Sequence, residues 1–170
     1  AFAPERHHMK RKLITTALLA ATAAMAAPSP MPLALQGGPD NFTASLRVNH
    51  WAAGPFVDEF FIAFGGRGEL NSQLTSTVST SQLATNQILF TDVDLDDFDF
   101  TIASRFGATK STHFARLTPV LTEGGFLLRV EGCAGACDGS PSRPHRITAS
   151  YSGTVNVKRM AAPTQDVPEP

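Results

Sequence analysis

Any chemistry in this chain would have to start from its carboxylates, its two cysteines and the three histidines of its body. Asp58 is the first to consider, because it stands between two rings in Phe56-Val57-Asp58-Glu59-Phe60. Side chains alternate along an extended strand, so Phe56, Asp58 and Phe60 share one face. The two rings can bury some 150–250 Å² each. An ionised carboxylate between them needs donors, and backbone N–H groups at a strand end or an arginine are the expected ones. The expected role of the triplet is therefore structural rather than that of a ligand or catalytic acid.

The densest acidic run is Asp92-Val93-Asp94-Leu95-Asp96-Asp97-Phe98-Asp99-Phe100. Asp92, Asp94 and Asp96 could supply oxygen ligands to Ca²⁺, which wants several hard donors close together. The helix-loop-helix calcium template, however, requires Gly at its sixth position and Glu at its twelfth, and Asp97 and Ala103 stand there. The reading that fits better has Val93 and Leu95 facing the core and the Asp side chains facing water. Asp96-Asp97 then shifts the phase as a bulge or tight turn, and Phe98 and Phe100 resume the core face.

Cys133 and Cys137 are the only cysteines. If the chain is exported, their even number implies a disulfide, whereas a metal site would need more ligands than the nearby His145 provides. His50, His113 and His145 are isolated in sequence, and no nucleophile-elbow pattern is present. Gly65-Gly66-Arg67-Gly68 lacks the lysine of a phosphate loop and reads as a hairpin turn. Trp51, beside His50 in a loop, is the one candidate sugar platform, although a partly buried rim position is favoured for it. No catalytic residue, metal ligand set or cofactor is expected.

These residues must be positioned by strands. Twelve Phe against one Trp and one Tyr, together with many Thr, Ser and Val, lean towards sheet. Gly, Pro, Ser and Asn punctuate short apolar–polar alternations at 42–48, 56–64, 70–83, 88–93, 95–103, 114–121, 126–131 and 146–157, with Pro119 disturbing the sixth. About eight strands and no helix in the body predict an all-β fold, an antiparallel sandwich of jelly-roll type spanning 41–157. Residues 27–40 and 158–170 read as linkers.

The front of the chain carries an export signal. Met9-Lys10-Arg11-Lys12 is a basic start, residues 13–26 are apolar and uncharged, and Ala24-Met25-Ala26 offers a small-x-small cleavage site. Residues 1–26 are thus set apart as upstream residues and signal peptide. From Ala27 onward ten Lys and Arg face fourteen Asp and Glu, a net charge of about −4. That balance disfavours nucleic acid and anionic membrane surfaces as partners.

The chain resembles the Phe-x-Asp-x-Phe subgroup of PEP-CTERM exoproteins. The resemblance is carried by Phe56-x-Asp58-x-Phe60, by the opening strand from Asn41, by Gly125-Phe126-Leu127-Leu128-Arg129-Val130-Glu131-Gly132, by Tyr151-Ser152-Gly153-Thr154-Val155-Asn156-Val157, and by the closing box Val167-Pro168-Glu169-Pro170. The Cys133 region lies outside that pattern. The resemblance implies processing by an exosortase-type protease, with only transient membrane contact through an apolar helix following the box. It implies a Gram-negative cell-surface or secreted location, with a structural or adhesive role near extracellular polysaccharide. The alternatives are a carbohydrate-binding or small carbohydrate-active protein and a calcium-dependent adhesion module.

Overall fold

The computed structural model describes residues 29–79, 86–135, 137 and 146–161. Residues 1–26, expected to be upstream residues and signal peptide, and the Val167–Pro170 box lie outside the described residues. The fold is all-β, two mostly antiparallel sheets packed as a sandwich. Eleven strands are described: β1 (Met31–Leu33), β2 (Gln36–Gly37), β3 (Asn41–His50), β4 (Gly54–Ile62), β5 (Arg67–Ser79), β6 (Ile88–Leu95), β7 (Phe98–Asp99), β8 (Thr101–Phe106), β9 (Lys110–Glu123), β10 (Phe126–Ala134) and β11 (Ala149–Arg159). One sheet has the order β1-β4-β10-β6-β7 and the other β2-β3-β11-β5-β9-β8. Among the described residues the only parallel pairing joins β1 to β4.

The apolar–polar alternation produces this arrangement directly. In β10 every second residue from Phe126 to Ala134 is buried, and in β11 the buried positions include Tyr151, Val155 and Val157. Strands of one face-inward period can bury that face only against a second sheet. The interior is filled by Phe60, Ile62, Leu70, Leu74, Val93, Leu95, Phe126, Leu128 and their neighbours. Each such fully buried side chain contributes about 1.5–3 kcal/mol relative to exposure.

Four departures from the sequence pattern have physical causes. First, β1 and β2 fall within 27–40, so the sandwich takes in residues expected to be a linker. Their few ladder bonds cover the edges of β4 and β3. Second, Gly65-Gly66 is not a hairpin turn. It carries the chain from β4 in one sheet to β5 in the other, and Gly66 adopts φ 104°, a conformation open to glycine. Third, Asp96 and Asp97 do form a tight turn, with Asp96 at φ 50°, but the turn folds β7 back beside β6. Phe98 is therefore left at the sheet edge, 37% exposed, and only Phe100 returns to the core. Fourth, Pro119 is accommodated by a bulge in the β5–β9 ladder, where Leu70 pairs with Val120 and Ser72 already with Leu117. Proline has no N–H to give a ladder, and the bulge removes the demand.

The consecutive strands mostly alternate between sheets, so one end of the sandwich gathers the end of β3, the starts of β4, β6 and β11, and the end of β10. At that end Gly132 of β10 pairs with Phe56 of β4 and with Phe90 of β6. A Cβ at Gly132 would sit 2.6 Å from the Leu89 carbonyl oxygen and 2.6 Å from Cζ of Phe56. One of these neighbours is backbone and cannot swing aside. Gly132→Ala is therefore expected to lower stability by about 1–3 kcal/mol, the usual range for overpacking. Urea denaturation of the two proteins measures it, and an unchanged midpoint would refute the close approach of the Leu89 carbonyl and the Phe56 ring to Gly132.

Candidate functional site

Asp58 enters the space between the sheets from β4, and its donors come from the opposite sheet. Tyr151 of β11 donates its hydroxyl to Asp58 Oδ2 at 2.8 Å, and His50 of β3 places Nε2 at 3.0 Å from the same oxygen. A carboxylate only accepts, so the His50 nitrogen is the donor. The expected partners, backbone N–H groups or an arginine, are thus replaced by a histidine and a tyrosine. The reason is the direction of the side chain: pointing away from its own ladder, Asp58 can be met only by inward-facing groups of the other sheet. Burial, then the Asp58 charge and the hydrogen bond to it, push the Tyr151 hydroxyl far above its ordinary range, so it remains a donor.

The rings of the triplet complete the junction. Phe56 stacks on His50 with centroids 4.0 Å apart and planes at 26°. Phe90 meets Tyr151 edge-on at 5.5 Å. Phe60 lies in the core. Phe56, Asp58 and Phe60 therefore act together, as one inter-sheet fastening. Glu59 faces the other side of β4, 3.7 Å from Arg129 Nε.

A second polar cluster, not visible from sequence spacing, lies at the same end. His113 of β9 is 2% exposed, with Nδ1 at 2.6 Å from Ser104 Oγ of β8 and Nε2 at 3.1 Å from the Gln87 amide nitrogen and 3.3 Å from Ser111 Oγ. With the Gln87 amide donating to Nε2, the ring proton sits on Nδ1 and points at Ser104. In that tautomer His113 does not act as a base towards Ser104. The signal for this site was parity: Ser111, His113, Ala115 and Leu117 fall on one face of β9, and all are buried.

The calcium candidates do not converge. Asp94 lies on the outer face 4.0 Å from Arg129, while Asp96 accepts a hydrogen bond from the Leu127 N–H at 2.9 Å. Among the described residues no group of three or more His, Cys, Asp or Glu could hold a metal ion. Cys133 and Cys137 form a disulfide, which closes the end of β10. The Gly135 N–H then donates to the Gln87 carbonyl, tying this turn to the start of β6.

Trp51 follows His50 directly, at the point where β3 leaves the sheet. It is 66% exposed, so it is not a partly buried rim residue. Its backbone carbonyl accepts from the Ile147 N–H at 3.4 Å. A recess of about 350 Å³ opens beside it, lined by Trp51, Arg146, Ile147 and Thr148. Thr148 donates to Asn86 Oδ1 at 3.1 Å, which fixes the hydroxyl at the recess. This end thus carries an exposed indole beside a recess that Arg146 and Thr148 help to line.

No family model, curated protein or solved structure matches this chain.

Two outcomes test the polar interior. Removing the Asp58 carboxylate strands the donors of Tyr151 and His50. Asp58→Ala is expected to cost about 2–4 kcal/mol and Tyr151→Phe about 1–2. A chemical-denaturation midpoint for Asp58→Ala equal to that of an exposed Asp→Ala variant would refute the fastening. The second outcome concerns His113, whose pKa burial holds below the ordinary value of 6.5. The unfolded chain takes up a proton at about 6.5 that the folded one refuses, so this contribution is complete above that pH and is lost as pH falls through it. His113→Gln should therefore flatten the fall in urea midpoint between about pH 7.5 and 5. A variant with the same pH slope as the parent would assign that slope to other groups.

Proposed function

We propose that the protein is an exported, non-enzymatic matrix module that holds anionic extracellular polysaccharide at its Trp51 end. The observation carrying this reading is the exposed Trp51 ring beside the recess formed with Arg146 and Thr148. An indole presents a flat apolar face on which the C–H face of a sugar ring can stack, and water gains from the covering of that face. An arginine lining the recess, Arg146, suits a uronate carboxylate, to which a guanidinium can give two parallel hydrogen bonds. The recess volume is near the lower end of ligand sites, in keeping with a short stretch of one chain.

The same reading accounts for the rigid polar interior beneath. His50, fastened to Asp58, is the residue before Trp51, so the strand end that displays the indole is held by directional bonds. Asp58 and Glu59 point to opposite sides of β4 and are each engaged, Asp58 by Tyr151 and His50 and Glu59 by Arg129. That leaves them poorly placed to act as an acid pair across a cleft, which supports a binding role over glycoside hydrolysis.

Export follows from the Met9–Lys12 start and the apolar residues after it, and sorting by an exosortase-type protease from the Val167-Pro168-Glu169-Pro170 resemblance. β11 runs from Ala149, paired with His50, to Arg159, a distance of about 35 Å at the rise of a strand. β11 thus ends on the side opposite Trp51, and the box follows it in sequence. Attachment there would turn the sugar platform outward.

Isothermal titration with a polyuronate and with a neutral dextran tests the reading. The parent should bind the polyuronate, and Trp51→Ala should weaken that binding about tenfold or more, equivalent to about 1.4 kcal/mol. Its melting temperature should not change, since the ring is exposed. Equal affinity of the variant and the parent, or no uptake of polyuronate by the parent, would defeat the proposal.

A further inference from the structure

The two outer faces of the sandwich carry opposite charge. On the β4–β10–β6–β7 sheet, Glu59, Asp92, Asp94, Asp99 and Glu131 surround a single arginine, Arg129, which pairs with Glu59, Asp94 and Glu131. The ladder registers make this a true patch: Glu59, Arg129, Asp94 and Asp99 lie in one row, and Glu131 pairs with Asp92 in the next. Desolvation, then the charge of Asp92, raise the pKa of Asp94, with Asp99 and Glu131 adding to it and Arg129 only partly offsetting. Negative charge is therefore in excess there.

The other sheet is the reverse. Arg47, Arg105, Lys110 and Arg116 lie on the outer face of β3, β8 and β9, among Ser45, Gln73, Thr75, Ser152 and Thr154. The acids on this face, Glu69 and Glu123, sit towards the far end. There Glu69 pairs across the ladder with Lys158, and Glu123 is 2.6 Å from Arg67. The rows through Arg47 and Arg116 contain no carboxylate.

We infer that these faces dock on one another, the acidic face of one copy against the basic face of a second copy, in an open head-to-tail stack. Like faces repel, so the two-fold arrangement that closes a dimer is disfavoured, and an acid-to-base contact leaves a free face at each end. From Ala27 onward the net charge is about −4, so the attraction between unlike faces has to exceed a modest overall repulsion between copies. Apolar side chains stand on both faces, Val57 and Phe61 on the acidic one and Leu121 on the basic one, each about half exposed. A sheet of this size offers on the order of 700 Å², close to the share each partner gives to a standard interface. Single exposed ion pairs contribute little, so the contact depends on several acting together and weakens with salt. Neither face includes Trp51, and stacking leaves the sugar recess open.

Sedimentation velocity of the chain over a concentration series, at about 20 mM and about 500 mM NaCl, tests the stack. At low salt the average mass should rise with concentration past that of a dimer, and at high salt it should return to the monomer. Two neutralised variants separate the faces: Arg47→Gln, Arg105→Gln, Lys110→Gln and Arg116→Gln together, and Asp92→Asn, Asp94→Asn, Asp99→Asn and Glu131→Gln together. Each alone should stay monomeric, and an equal mixture should stop at dimers, because one intact face of each kind remains. A parent that is monomeric at both salt concentrations overturns the inference without recourse to the variants. Association that survives neutralisation of either face also overturns it.

Discussion

An acid that faces the interior has to find its hydrogen-bond donors there, and Asp58 makes the whole sandwich answer to that demand. Its carboxylate lies between two sheets that share no ladder, so only side chains can reach it. Tyr151 and His50 do so from two adjacent strands of the opposite sheet. Since strand side chains alternate, both residues must have the inward parity, and a one-residue slip of β3 or β11 would turn its donor to solvent. The bond to Asp58 thus sets register as well as closure. It also explains the ring on either side of the acid: Phe56 covers the His50 imidazole, and Phe60 continues into the dry core.

The consequences spread through the glycines. Phe56 can lie flat on His50 only because Gly132, its ladder partner, has no side chain to push it away. In the other sheet Gly153 leaves room for Leu74, whose Cδ2 would collide with any Cβ there. Both sites are fixed by close approach and need no special turn geometry. They follow from packing two sheets with large side chains on strands whose separation is set by the ladder.

Much of this was legible in the chain itself. Period-two alternation located the long strands, and the spacing of Phe56, Asp58 and Phe60 placed them on one inward face. The compartment argument anticipated the Cys133–Cys137 bridge. What stayed hidden was everything that depends on which sheet a strand joins. Gly65-Gly66 has the composition of a hairpin turn, and nothing local says that the next strand crosses over. The partners of Asp58 were hidden for the same reason, since Tyr151 is 93 residues away and His50 looked like a loop residue. Parity could have narrowed the choice: His50 continues the inward series Ala44, Leu46 and Val48, as His113 continues that of β9. Trp51 was misjudged because rim tryptophans usually bury one face, whereas here the chain leaves the sheet before it can.

The interior is polar at one end and apolar at the other, and that asymmetry bears on how the molecule can work. At the Trp51 end, Asp58, His50 and Tyr151 form one hydrogen-bonded group and His113, Ser104, Ser111 and Gln87 another. At the opposite end the side chains are Phe42 and Phe64, packed edge to face, with Arg159 over both rings. Apolar packing tolerates small shifts, because its energy depends mainly on area covered. Hydrogen bonds lose strength steeply with angle and distance, so they hold their partners in one place. A strand end tied by such bonds can display a rigid aromatic surface at less entropic loss on binding than a free loop could. The polar end is where a recognition surface gains most from being held, and it is the end from which Trp51 projects.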